Sequence, residues 1–254
     1  MIDTHCHLNL APLVEDVEGA LRRALDAGVR QAIVIGIDLP SSRLAVEQAH
    51  THEELFAVVG VHPTAAGRVS AAEFREIVDL ADDPKVVALG ESGLDFHWDD
   101  STPAEQEAML ALHVEEALRR DLPLVLHIRD AYPEAARRLE PAARDGLRGV
   151  VHCFAGTREE AAPFVEWGWP LGLGGILTYR GAEEVRAVAA ETPGPQLLLE
   201  TDSPWLTPRH RGRETNEPAF VRYVAQELAR VRRCSLEEID ELTTTNAKRT
   251  FDLP

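Results

Sequence analysis

The sequence predicts an α/β fold, a single-domain TIM-type (β/α)8 barrel spanning residues 1–254, and three observations lead there. Short apolar runs alternate with amphipathic helical patterns from one end to the other, which indicates a parallel sheet. The length, 254 residues, matches the roughly 250 typical of one such barrel. Residues of metal-ligand type also stand at or just past the ends of five different apolar runs. An open doubly wound sheet is the rival, but it gathers its ligands at one switch point. A closed barrel brings the C-terminal ends of all strands to one mouth, so a spread over strands one, four, five, six and eight selects the barrel.

Each element has its own signal. Met1-Ile2-Asp3-Thr4, closed by His5 and His7, is the first strand. Residues 12–27 carry apolar side chains at helical spacing (Val14, Val17, Leu21, Leu25), and Gly28 is a natural stop. Strand two is 31–38, followed by a helix over 41–52 capped by Ser41 or Ser42. Strand three, 55–61, ends at His62-Pro63, and a helix over 70–81 opens with a Ser70/Glu73 capping box. Strand four is 86–91, and a loop over 92–102 is rich in Asp and aromatic residues. A long helix to about Arg120 has Pro103 in its first turn. Strand five is 123–128 with a helix over 131–145, and strand six is 149–154 with a helix over 157–167. A weak strand seven, 170–174, precedes a helix over 181–192, and strand eight is 197–201. Helices over 217–232 and 235–249, the second capped by Ser235, finish the chain.

Composition narrows the class. Hydrophobic content of 44% and charged content of 27% are ordinary for a globular protein. Asp3, His5 and His7 interrupt the N-terminus, so no signal peptide is expected, and no apolar run approaches the ~20 residues needed to span a bilayer. The expected setting is cytoplasmic, with no membrane association and no obligate protein partner. Three widely spaced cysteines without a CxxC do not make a disulfide framework. Alternation predicts that Cys6 and Cys153 face away from the neighbouring histidines, as small buried hydrophobes. The formal charge of −17 argues against a surface that grips nucleic acid all over, while leaving room for a local basic cleft or for metals that offset it.

The candidate ligands are His5, His7, Glu91, His127, His152 and Asp202. His5 and His7 share a strand face about 6–7 Å apart, so both imidazoles can reach one ion. Asp3 and Thr4 are expected to orient those rings. Glu91 directly follows a buried run, with Gly90 and Gly93 leaving room beside it, and a carboxylate can bridge two cations where an imidazole nitrogen cannot. His127 and His152 end nearly wholly apolar runs at equivalent positions of successive strands. Glu200 and Asp202 share a face by alternation, with Asp202 nearer the mouth. Four imidazoles and two carboxylates make a metal site, with two ions the expected number. Divalent ions so held lower the pKa of bound water toward ~7, and a nearby carboxylate can take its proton. The reaction class is therefore metal-assisted hydrolysis. Four histidines favour zinc or manganese and two carboxylates suit magnesium, so the ion stays open among the three.

Eight ordered motif blocks carry a family resemblance over essentially the full length. They are IDTHCHL (2–8), GVHP (60–63), GESGLDF (90–96), LHIRDA (126–131), VHCFAGT (151–157), LLLETDSPWLTP (197–208), NEPAFV (216–221) and TTNAKRTF (244–251). The chain resembles the TatD family of metal-dependent deoxyribonucleases, within the amidohydrolase-like barrels. The resemblance implies that His5, His7, Glu91 and Asp202 hold one metal and that Glu91, His127 and His152 hold a second. It implies Asp202 as general base and a 3′→5′ exonuclease on single-stranded DNA with magnesium, manganese or zinc, in DNA repair or turnover. Departures are Phe96 and Phe220 where tyrosine is usual, and Arg213-Glu214-Thr215-Asn216 where a compact Lys-Arg-Asn run is common.

A nuclease also needs groups for phosphate and bases. Arg129, two residues past His127, is a candidate phosphate ligand, with an ion pair to Asp130 or Glu134 as the alternative. His62 reads as a catalytic proton donor or a phosphate contact. Trp205 and Tyr179 are candidates to stack a nucleobase, against packing over the barrel rim. Arg211, with Arg209, His210 and Arg213, belongs to the most basic loop, where a DNA backbone could run. Two other readings stand beside the nuclease. One keeps the metal pair for an ester or amide, on a small substrate or an aminoacyl-tRNA. The other is a non-catalytic scaffold, against which the full ligand set argues.

Overall fold

The computed structural model describes every residue, Met1 to Pro254. Each of the eight apolar runs forms a strand: β1 (Ile2–Cys6), β2 (Gln31–Ile35), β3 (Leu55–Val59), β4 (Val86–Asp95), β5 (Leu124–Arg129), β6 (Gly149–Val151), β7 (Leu171–Leu173) and β8 (Leu197–Leu199). They belong to one sheet in chain order. The register is parallel in every described pair, as β-α-β connections require. β1 also lies beside β8, because the Asp202 N–H donates to the His5 carbonyl at 2.9 Å and the His7 N–H to that of Ser203 at 2.8 Å. With first and last strands adjacent, no sheet edge is left open there, and the fold is the expected (β/α)8 barrel.

The helices are α1 (Val17–Asp26), α2 (Leu39–Thr51), α3 (Ala71–Asp79), α4 (Pro103–Arg120), α5 (Tyr132–Arg144), α6 (Arg158–Glu166), α7 (Glu183–Glu191), α8 (Val221–Arg232) and α9 (Leu236–Phe251). Capping residues set most of their starts. Reciprocal capping boxes close Ser70/Glu73, Thr102/Glu105, Thr157/Glu160 and Ser235/Glu238. α2 differs from expectation. Asp38 is its cap and Ser41 is the third helical residue answering it, because Pro40 fits the first turn and moves the start upstream.

Two compact units divide the chain, Met1–Val34 with Cys153–Pro254, and Ile35–His152. In the first, Leu173, Leu197 and Leu199 pack with Val224, Leu228 and Ile239 into a buried apolar cluster. Cys6 is fully buried there and its thiol donates to the Ile33 carbonyl at 3.4 Å. In the second, β3, β4 and β5 are almost wholly buried, and α2 to α5 belong to the same unit. No helix is long and apolar enough to cross a membrane.

Strand ends are where sequence and structure part. β4 runs to Asp95 rather than 91, so the aromatic loop begins later than expected. β6 and β8 stop early, at Val151 and Leu199. The reason is local: Cys153 (φ 46°) and Asp202 (φ 55°) adopt left-handed backbone, which no ladder continues. Alternation therefore does not reach Cys153. Its Sγ lies within 4.8 Å of an Asp202 oxygen instead of facing away, which corrects the expectation for that cysteine.

Candidate functional site

In the unit Met1–Val34 with Cys153–Pro254, β1 places His5 and His7 on one face, both buried. Asp202 follows β8, and its left-handed backbone turns the carboxylate toward them. Its Oδ1 is 3.8 Å from His5 Nε2 and 3.4 Å from His7 Nε2. The three donor atoms lie within 4.8 Å of one another. Trp205 is 49% exposed and meets the His7 ring edge-on at 5.0 Å. Asp3 accepts the His5 backbone N–H at 3.3 Å, and its other bonds, with that of Thr4, run to the end of β8. Asp3 accepts from the Thr201 N–H at 2.9 Å and the Thr201 hydroxyl at 2.6 Å, and Thr4 donates to the Leu199 carbonyl. Both side chains point toward β8, where the early strand end leaves backbone groups to satisfy.

The unit Ile35–His152 holds the second cluster. Glu91, 2% exposed, lies within 4.8 Å of both His127 and His152 in ligand atoms. Its Oε1 is 2.8 Å from His127 Nδ1, 3.4 Å from His152 Nε2 and 3.8 Å from His62 Nε2. Gly93 makes this possible. Its φ is +149°, and a Cβ there would overlap the His127 carbonyl oxygen, so only glycine lets β4 approach β5 so closely. Thr64 donates its N–H to His62 Nδ1 at 3.2 Å, so that nitrogen is the acceptor and Nε2 carries the proton. His62 and His127 rings meet edge-on at 4.4 Å.

Two further carboxylates, one in each unit, carry no role in the sequence reading. Asp95 is buried, and its Oδ2 is 2.9 Å from His127 Nε2, so His127 has a carboxylate on each ring nitrogen. Burial pulls His127 toward the neutral form, but Asp95 and Glu91 outweigh it and raise its pKa. Burial likewise acts to raise Asp95, and the His127 bond with the His97 and Trp98 N–H groups brings it below its ordinary value. The available signal was the Glu91-Gly93-Asp95 alternation, readable only if β4 extends past 91. Glu200, buried in the first unit, accepts from the Cys153 N–H at 2.6 Å. Its shared face with Asp202 was visible, without a role to attach to it.

The remaining candidates are placed as follows. Arg129 is exposed at the end of β5, its guanidinium 5.7 Å from the Trp98 ring centroid. The anticipated acids have other partners: Asp130 pairs with His97 at 3.1 Å, and Glu134 with Arg138 at 3.0 Å. Arg211 ion-pairs with Glu214, hydrogen-bonds the Tyr223 hydroxyl at 3.3 Å and sits 4.8 Å over Phe220, while Arg209, His210 and Arg213 are exposed. Tyr179 is half-buried against the apolar cluster, donating to the Thr207 carbonyl at 3.2 Å.

Both clusters suit a cation. Each offers one carboxylate and two imidazoles at close range in a buried setting, the donor mix that holds zinc, manganese or magnesium. The family model described as TatD related DNase matches residues 2–252. The chain belongs to the TatD family. It is 35% identical over 251 residues to the uncharacterized metal-dependent hydrolase YabD of Bacillus subtilis, covering 99% of this chain and 98% of that protein. It is 34% identical over 259 residues to the 3′-5′ ssDNA/RNA exonuclease TatD of Shigella flexneri, covering 100% and 99%. The crystal structure of YjjV, a TatD homologue from Escherichia coli, superposes with a TM-score of 0.95 at 33% identity, covering 100% and 98%. As a TatD-family protein the chain is a metal-dependent hydrolase, and the family includes nucleases.

Proposed function

We propose that this TatD-family hydrolase removes nucleotides from the 3′ end of single-stranded DNA, with two divalent ions per chain. The observation that carries the reading is the pair of clusters, His5/His7/Asp202 and Glu91/His127/His152. A Shigella flexneri relative named as a 3′-5′ ssDNA/RNA exonuclease supports it. Magnesium, manganese or zinc bound at the clusters would polarise the phosphoryl oxygens and lower the pKa of nearby water.

The chain's own groups supply the proton transfers. Asp202, the least buried ligand carboxylate at 14% against 3% for Glu91, takes the proton of the attacking water. His62 presents its Nε2 proton beside Glu91 and serves the phosphate or the leaving oxygen. Asp95 orients His127 by holding its second nitrogen. Glu91 would hold the cation of the second cluster together with His127 and His152. Trp205 offers a surface for a base, while Arg211 contributes charge to the loop that carries Arg209 and Arg213. The expected setting is DNA repair or turnover in the cytoplasm, tested by fractionation and by the damage sensitivity of a deletion strain.

The direct test incubates the purified protein and 5′-labelled single-stranded DNA with each of the three ions. Stepwise shortening from the 3′ end is expected, stopped by a chelator and by Glu91→Ala or Asp202→Ala in folded protein. Intact DNA under all three ions defeats the reading. A second reading is favoured by the formal charge of −17, which suits a small ester or amide better than a polyanion. Hydrolysis of aryl esters or an aminoacyl-tRNA without DNA digestion would select it.

A further inference from the structure

The loop that follows β4 carries an aromatic feature the proposed mechanism does not use. Phe96 is 38% exposed and Trp98 is 53% exposed, unusual for residues of that size. Scattered exposed aromatics need no explanation, but this one is held in place. The Trp98 and His97 N–H groups both donate to Asp95 Oδ1, at 3.2 and 3.0 Å. The other oxygen of the same carboxylate holds His127. Gln106 of α4 clamps both ends of the loop, accepting from the Asp95 N–H at 2.7 Å and donating to the Asp95 and Ser101 carbonyls at 2.8 and 3.1 Å. The Trp98 backbone is therefore tied, through one shared carboxylate, to the histidine His127.

Arg129 completes the feature. It pairs in register with Asp95, and its carbonyl accepts the Phe96 N–H at 3.0 Å. Its guanidinium lies 5.7 Å from the Trp98 centroid and makes no ion pair, whereas Arg119, Arg120, Arg137, Arg138 and Arg144 all do. The acid beside it in sequence, Asp130, is taken by His97, whose ring meets the indole edge-on at 4.9 Å. An arginine with free planar donors and an indole with open surface are the two groups that one nucleotide needs. Stacking on an aromatic face is indifferent to base identity, and a guanidinium matches a phosphate bidentately.

We propose that Trp98 and Arg129 form a nucleotide subsite next to His127, in which the indole stacks a nucleobase of a single strand and the guanidinium holds a backbone phosphate. His127 and Arg129 lie two residues apart on one strand face, about 6–7 Å, so the phosphate held there neighbours the one being cleaved. The inference rests on the nucleic-acid reading above.

The test uses full-length protein loaded with manganese and short single strands in which one base near the 3′ end is replaced, position by position, by an abasic residue. Wild type is expected to lose about tenfold or more in kcat/KM at one position. Trp98→Ala collapses that base-to-abasic ratio toward one, and Trp98→Phe restores most of it. Arg129→Gln lowers the slope of log affinity against log salt by about 0.7, the share of one single-strand phosphate. A merely structural loop would change overall activity and leave both the ratio and the slope as in wild type, and that pattern overturns the proposal. If wild type cleaves single strands with no positional loss, the subsite is wrong and the nuclease reading stands. If wild type neither binds nor cleaves single strands, both fall.

Discussion

Asp95→Asn isolates the contribution of one hydrogen bond to metal affinity. Asp95 makes three relevant contacts: Oδ1 takes the His97 and Trp98 N–H groups, and Oδ2 lies 2.9 Å from His127 Nε2. An asparagine keeps its carbonyl for the backbone donors, so the loop stays tied. Its amide nitrogen then faces His127 Nε2 and can only donate, which reverses the ring's tautomer preference and removes a charge-assisted bond. Such a bond contributes about 1.5–3 kcal/mol, equivalent to roughly 10- to 150-fold in a binding constant. The range overlaps the 10–100-fold typical for partners behind metal ligands. Competitive titration of zinc or manganese against a chromophoric chelator, at constant pH, reads the change directly. Far-UV circular dichroism and the unfolding midpoint confirm the fold. Affinity within twofold of wild type in folded Asp95→Asn refutes the argument that Asp95 orients a ligand.

Other outcomes follow from the same geometry. Glu91→Ala, loaded with metal and assayed by elemental analysis, should retain almost no ion if Glu91 serves both sites, and about one if it serves its own cluster; two retained ions refute the ligand assignment. Gly93→Ala should cost on the order of 2–4 kcal/mol or prevent folding, because the positive φ and the His127 carbonyl both reject a Cβ; an unchanged urea midpoint contradicts this. His113, buried and not itself a candidate ligand, supplies a pH test. It accepts the Val61 N–H on Nε2 and donates from Nδ1 to the Met109 carbonyl at 2.8 Å, and burial pulls its pKa down to about 4. Because the folded value lies below the unfolded value near 6.5, its stabilising effect is whole above pH 6.5 and is lost as pH falls toward 4, by roughly 3 kcal/mol. Comparing chemical denaturation of wild type and His113→Gln at pH 7 and pH 5 should show a steeper loss in wild type, and equal losses would reject the assignment.

Much of the barrel was legible because its signals are local and repeated. Every apolar run became a strand, and Ser70, Thr102, Thr157 and Ser235 cap helices where a hydroxyl precedes a glutamate by three residues. The six candidate ligands were legible because each stands at or near a strand end, and strand ends are what this fold gathers. What period-2 alternation could not deliver were the backbone reversals at Cys153 and Asp202. A left-handed residue leaves no mark in the hydrophobic pattern, and it decides which way the next side chain points. The same limit hid Asp95. The apolar run ends at Glu91, and the Asp- and aromatic-rich segment 92–102 reads as a loop. Burial beside β5 holds Ser92 to Asp95 in the sheet instead, with Gly93 selected by the His127 backbone and not by a turn. Sequence spacing thus located the candidate ligands that the fold gathers into clusters able to hold an ion. Asp95 beside His127 and Glu200 beside the Cys153 backbone were fixed by contacts between segments far apart in sequence, and only the folded chain brings those together.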